Sequence, residues 1–472
     1  MRFNSIEFLV FLLASFSILW SLRSSLRAFN GVLLLLNYAF YAFWDYRFLV
    51  LIAISSLVDY TVGYWIPKSK YKTFLISFSL MTNLGLLAYF KYYGFFISSA
   101  QDFLAQIGVE IGSTQLSIVL PVGISFYTFQ TLSYSIDVYR GRIKSERDLL
   151  VFLNYVSFFP QLVAGPIERA NSFLPQFKKP KVFDYQQAAD GMRLLLYGFF
   201  KKMVIADNIG IQVDAVYGNH ADHNGLSLLL ASFLFFVQLY ADFSAYTDIA
   251  RGTAKLLGFE LMQNFKTPIY ATNIPEFWSR WHISLTTWFR DYVFIPLAKR
   301  NTQSSLWRFG ATLILFALIG LWHGANYTFL LFGLFHGLCF LPRIVASKYK
   351  AFRRALTFLN NDPYASKVAM LVNSFLVSFS VIFFRSESLQ QAKEIYALVF
   401  YQLHGALDPG LLAALPVSCS LLLYEWFFKE SEHPFQVSFL PKIARNVLYL
   451  FMITLILLFG YFGKEPFYYF QF

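Results

Sequence analysis

Eight long apolar runs set the terms for this chain: Phe8–Trp20, Phe74–Phe90, Leu226–Tyr240, Phe309–Trp322, Tyr327–Phe340, Val368–Phe384, Leu411–Phe428 and Val447–Phe462. A helix needs about 20 mostly apolar residues to cross the hydrocarbon of a bilayer. Backbone groups in lipid must bond within their own segment, which leaves helices for runs of this length. Shorter or broken stretches near Val32, Phe48, Ile118, Phe152 and Leu194 bring the expected count to roughly 11–13 spans. Only 14% of residues are charged, where a soluble domain carries roughly a quarter. Lipid contact accounts for the difference better than an oversized core. The expectation is an all-α, polytopic helical membrane protein. Some runs are too short or too polar to cross, so re-entrant and interfacial helices are expected around a central channel.

The first run lacks a small-residue cleavage site and more runs follow at once, so it reads as a span and not as a removable signal peptide. Cys339 and Cys419 both sit among apolar residues, as small buried hydrophobes do. No metal cluster is expected. A formal charge of +12 would suit nucleic acid, but its distribution argues for lipid. The cations crowd short loops: Lys68, Lys70 and Lys72; Arg140, Arg142, Lys144 and Arg147; Lys178, Lys179 and Lys181; Arg343, Lys348, Lys350, Arg353 and Arg354. Cytoplasmic loops have this composition. The loop from Arg140 to Lys181 is therefore placed inside, and Arg23 and Arg27 then put the N-terminus outside.

Neither repeats nor low-complexity linkers divide the chain, so residues 1–472 read as one domain. Residues 1–115 look like apolar hairpins, 116–340 hold most of the intramembrane polar residues, and 341–472 return to simple spans. Pro160 and Pro166 interrupt an apolar stretch, which marks a re-entrant or funnel-lining element. Asn273-Ile-Pro-Glu276 has the marks of a helix start: an Asn cap, a Pro in the first turn and an acid at the third position. A helix running on from there places Trp278, His282, Leu285 and Phe289 on one face.

Seven histidines serve 472 residues, so His282 and His323 in apolar surroundings are costly placements. An ionisable side chain at membrane depth is by default a functional candidate, and imidazole titrates nearest neutrality. His323 ends an apolar run and is followed by Gly324, Ala325 and Asn326, of which Gly and Asn are suited to ending a helix. The position suits a general base for a hydroxyl, or equally a histidine bonded to a carbonyl for packing alone. His336, inside an apolar run, reads as a satisfied core histidine. Asp242 and Asp248 lie in one apolar helix and suit structural or channel-lining roles. Pro121-Val-Gly-Ile-Ser-Phe126 lacks the second glycine of a nucleophile elbow, because Tyr127 stands there.

Taken in order, several segments resemble the membrane-bound O-acyltransferase (MBOAT) family. They are Pro121–Phe129, Ser135–Tyr139, Phe158–Ile167, Asp242–Ile249, Phe277–Leu285, Leu321–Gly324 and Phe383–Arg385. The nearest likeness is to its bacterial alginate O-acetyltransferase branch, related to the D-alanyl transferase of teichoic acids. The resemblance implies that His323, in Trp-His-Gly, is the catalytic base and that His282, in Trp-His-Ile-Ser, is the second active-site histidine. It implies no bound cofactor, an acyl thioester co-substrate such as acetyl-CoA or an acyl carrier, and a periplasmic acyltransferase partner. The acceptor would be an envelope polysaccharide or peptidoglycan, reached from the bacterial inner membrane. Channel or donor-binding candidates are Asn326, Trp281, Asp242 and Arg140, with Arg142, Lys201 and Lys202 as further cations for CoA phosphates, although lipid contact explains these cations equally well. The tail 466–472, Pro-Phe-Tyr-Tyr-Phe-Gln-Phe, resembles an aromatic motif in which a tyrosine carries the acyl group, here Tyr469. That role needs an extracytoplasmic C-terminus. An interfacial aromatic anchor accounts for the same residues.

Two rivals remain at this stage. A transporter or flippase of a lipid-linked saccharide would depend on Asp242 and Asp248. A membrane scaffold for a secreted transferase would need neither histidine.

Overall fold

A computed structural model describes residues 3–109, 118–431, 433–463 and 467–468. These residues form helices joined by short turns, with no strand among them. Among the described residues, eight helical segments are long and apolar enough to cross a membrane, and the chain is a multi-pass helical membrane protein. The longest, Leu26–Lys68, joins two helices, Leu26–Asp45 and Leu49–Trp65, through one tight turn. Side-chain caps start many of the helices: Ser25, Asp148, Ser304, Asp362 and Asp408 each accept a backbone N–H from the first turn. Such caps satisfy donors that have no partner inside the helix. Outward faces stay apolar. The span Lys442–Phe459 exposes Val447, Leu450, Leu457 and Leu458, a surface that lipid covers.

The residues pack as two compact units. The first comprises residues 1–192 and 250–262. In it the helices Leu49–Trp65, Lys72–Leu87 and Ile124–Tyr139 meet around a buried carboxylate. Asp59 accepts hydrogen bonds from Ser79, Ser135 and Asn83, and Ser55 donates to the Asn83 amide oxygen. The expected break near Pro160 is present. Helix Leu149–Ser157 stops at Phe158 and a single turn, Phe159–Leu162, follows. The Phe159 N–H freed by the break donates to Asn37 Oδ1 at 3.0 Å, and Asn37 Nδ2 donates to Asn154 at 3.1 Å. Protein groups thus replace the missing helical bonds, as buried irregular backbone requires. Lys181, expected in a basic cytoplasmic loop facing anionic lipid, is instead buried. It donates to the carbonyls of Gln176 and Gly258 and lies 3.3 Å from the Phe259 ring centre.

The second unit comprises residues 193–249 and 263–472. Its core is the helix Gly225–Leu256 up to Ile249, whose side chains are almost all buried. A helical hairpin, Ser305–His323 and Tyr327–Leu338, crosses at glycine. A Cβ at Gly333 would strike the carbonyl of Phe316, and one at Gly320 the carbonyl of Phe329. Small residues of this kind let helices in lipid approach backbone to backbone.

Candidate active site

His323 is the last residue of the helix Ser305–His323, and Gly324 closes that helix in extended backbone. The chain restarts three residues on, where Asn326 Oδ1 caps Tyr327–Leu338 by accepting the Thr328 N–H. A rigid helix therefore carries the imidazole to a break in the backbone, as the sequence led one to expect. His323 is buried. Its ring lies 5.1 Å from Phe384 and 5.0 Å from Trp322, centre to centre. It borders a small apolar cavity whose other walls include Trp281, Trp278, Phe332, Val381 and Phe384. The space, about 10 Å³, is near the minimum that admits one water.

The helix expected to run unbroken from Asn273 past Phe289 does not form. Its start is as anticipated: Asn273 caps Glu276, and the Glu276 carboxylate returns to the Thr272 N–H at 2.9 Å. It stops at Arg280, and a second helix, Ile283–Phe289, follows. Between them His282 holds φ 43° and ψ 54°, left-handed backbone that residues with a Cβ seldom adopt. The cause is a clasp from a distant strand of chain. Lys266 N–H donates to the Arg280 carbonyl, Ile283 N–H to the Asn264 carbonyl, and Ser284 N–H to Asn264 Oδ1. So His282 does not share a helical face with Leu285 and Phe289. The clasp turns its ring against Phe243, at 4.7 Å, and Trp322, at 5.3 Å. His282 and His323 therefore contact the same indole. This segment lies outside the apolar spans, and complete burial pushes the His282 imidazole down to about 3. It is neutral at physiological pH, and a neutral imidazole offers one N–H and one lone pair.

Trp281 stacks on Phe277 and meets Phe265 edge-on at 5.1 Å, which fixes it as a wall of the His323 cavity. Asn326 is committed elsewhere: besides capping, its Nδ2 donates to the Glu387 carbonyl at 3.0 Å. Arg140 is exposed at the end of Ile124–Tyr139, in the first unit. His336 accepts from Trp278 Nε1 at 3.2 Å and bonds Ser380 through Nε2 at 3.0 Å, so it is a satisfied core histidine. Sequence reasoning missed Asn264 and Ser284. Asn264 Nδ2 and Ser284 Oγ are buried without a hydrogen-bond partner among the described residues, which leaves polar groups unspent beside His282. Nothing local signalled them, because their relation to His282 is made by the clasp.

The two carboxylates of the long helix are both neutralised. Asp242 meets Lys202 at 2.8 Å, Lys202 also meets Asp207 at 2.7 Å, and Asp248 meets Lys201 at 2.7 Å. Lys201 and Lys202 are each 1% exposed. They are buried ion-pair partners and not the exposed phosphate-binding cations that sequence suggested. Asp242 has a further role, because its Oδ2 accepts the Tyr468 N–H at 2.8 Å. Phe467 and Tyr468 are buried with it, Phe467 beneath the Lys202 ammonium at 4.5 Å and Tyr468 against Phe235 at 5.2 Å. Tyr469 itself lies outside the described residues.

Residues 143–386 match the sequence profile described as MBOAT, membrane-bound O-acyltransferase family. The chain is 36% identical over 435 residues to a probable alginate O-acetylase AlgI of Azotobacter vinelandii, covering 90% of this chain and 83% of that one. It is 34% identical to a probable alginate O-acetylase AlgI of Pseudomonas putida, over 90% of this chain and 86% of the relative. A peptidoglycan O-acetyltransferase of Helicobacter pylori is 32% identical, over 77% of this chain and 72% of its own. These matches run through the helix that ends at His323, the His282 clasp and the buried aromatic walls between them. The chain belongs to the membrane-bound O-acyltransferase family and is an O-acyltransferase.

Proposed function

We propose that this enzyme O-acetylates a cell-envelope polysaccharide or peptidoglycan, drawing the acetyl group from a cytoplasmic thioester, acetyl-CoA, with His323 as general base. The observation that carries the reading is the pair of buried histidines against Trp322, one of them at a helix end beside an apolar cavity. The acceptor hydroxyl oxygen attacks the thioester carbonyl carbon while a ring nitrogen of His323 takes the hydroxyl proton. The carbonyl becomes an oxyanion, for which the N–H of neutral His282 and the unspent Asn264 and Ser284 groups are candidate donors. Collapse breaks the C–S bond, and the thiolate leaves with the proton that His323 had accepted.

The alginate and peptidoglycan activities of the relatives support a glycan as final acceptor. A periplasmic acyltransferase partner would deliver the acyl group to it, from an inner-membrane enzyme with both termini outside. Tyr469 is the relay candidate within the chain, and the burial of its neighbour Tyr468 beside Phe235 favours that reading over a lipid-facing anchor. The ion pairing of Asp242 and Asp248 takes support from transport. The test is base-labile acetyl ester on extracted envelope glycans, comparing the wild type with His323→Ala at matched membrane expression. Loss of ester supports the assignment, and undiminished ester removes His323 as the base.

A further inference from the structure

We propose that the helix Lys350–Asn361 is a binding surface for anionic phospholipid, seated in the headgroup layer of the cytoplasmic leaflet. Its two faces are chemically opposed. Phe352, Ala355 and Leu359 recur at three- and four-residue spacing, while Lys350, Arg353, Arg354 and Thr357 occupy the other side. The protein leaves both faces open: Phe352 is 39% and Leu359 38% exposed, and the flanking Tyr349 and Phe358 are more so. Residues 341–361 carry five cations and no acid. None of Arg343, Lys348, Lys350, Arg353 and Arg354 makes an ion pair among the described residues.

Placement decides the occupant. The helix starts four residues after the apolar segment Tyr327–Ala346 and ends two residues before the span Pro363–Arg385. Both its ends are therefore held at the edge of hydrocarbon on one side of the membrane. A 12-residue helix is about 18 Å long and so lies along the surface. There its apolar stripe meets acyl chains, its aromatic flank meets the interface, and its cations meet phosphate. Cations clustered on such a helix are attracted by anionic headgroups. The basic composition of the loop also places it on the cytoplasmic side.

The test is amide hydrogen exchange across residues 350–361 of the full-length protein in nanodiscs, with phosphatidylcholine alone or with added phosphatidylglycerol. Exchange should be roughly tenfold slower with the anionic lipid, and raised salt should erode the difference. The double substitution Arg353→Gln/Arg354→Gln should abolish the lipid dependence without changing the thermal midpoint, since both side chains are exposed. Equal protection in both lipids would overturn the proposal in favour of a purely apolar contact. Rapid exchange in both would overturn it in favour of a surface open to a protein partner.

Discussion

Asn264 brackets His282: its carbonyl accepts the Ile283 N–H at 2.9 Å and its side-chain oxygen accepts the Ser284 N–H at 3.0 Å. A left-handed residue with a side chain costs on the order of 1–3 kcal/mol and persists only where its surroundings impose it. Asn264→Ala removes the side-chain half of the clasp. It should lower stability by about 1 kcal/mol, as for other helix caps, and lower kcat of acyl transfer more than it raises KM. Thermal unfolding and transfer kinetics on one preparation separate the effects. A lower midpoint with an unchanged rate would show that Asn264 does not set the His282 geometry.

His323→Gln should reduce acyl transfer by about 10²- to 10⁴-fold, the usual worth of a positioned base, with little change in thermal stability. Purified protein, a radiolabelled acetyl thioester and an acceptor hydroxyl suffice for the measurement. A residual rate near wild type would mean that another group takes the proton.

The Lys202 ammonium serves two buried carboxylates at once, Asp207 and Asp242. Removing one partner of a buried pair typically costs about 3–5 kcal/mol. Lys202→Met should therefore unfold the protein at markedly lower temperature, because it strands two carboxylates. Asp242→Asn should cost less, since the ammonium keeps Asp207 and the amide oxygen can still accept the Tyr468 N–H. The reverse order of melting temperatures would refute this reading of the cluster.

Gly333→Ala should impair the hairpin that carries His323. The added methyl meets the Phe316 carbonyl, which is helix backbone and cannot swing aside. Overpacking of this kind costs typically about 1–3 kcal/mol. Gly310→Ala, on the partner helix Ser305–His323 with open space around it, is the control and should be neutral or slightly stabilising. Detergent-solubilised thermal melts of the two variants decide the matter.

Glu168 is 3% exposed, and burial pushes its carboxyl up to about 7, although it accepts the Met262 N–H. The fold therefore holds the proton more tightly than the unfolded chain does. As pH rises from about 4.5 to about 7 the unfolded chain loses its proton first, so stability falls across that window. The loss is at most on the order of 3 kcal/mol. Glu168→Gln, whose amide oxygen still accepts from Met262, should flatten that part of the pH–stability curve. An unchanged slope would rule Glu168 out as its source.

The helical membrane fold was legible because apolar length is a local property, and so was the setting of His323, where the helix stop sits in the adjacent Gly324. The Asn273 cap was legible for the same reason. The break at His282 was not, since residues 274–289 read as good helix and the clasp that bends them comes from Asn264 and Lys266. Lys201 and Lys202 were misjudged on similar grounds. Two adjacent lysines after an apolar run look like the end of a span, and their carboxylate partners Asp248 and Asp242 lie 47 and 40 residues away along the chain, respectively. What sequence conceals here is long-range pairing at close quarters.

The cavity beside His323 holds about one water, yet even a two-carbon acyl group is larger than that. If His323 is the base, admission is made by the walls, and those walls are rings: Trp278, Trp281, Phe332 and Phe384. Turnover would then follow membrane temperature and lateral pressure through the mobility of those rings.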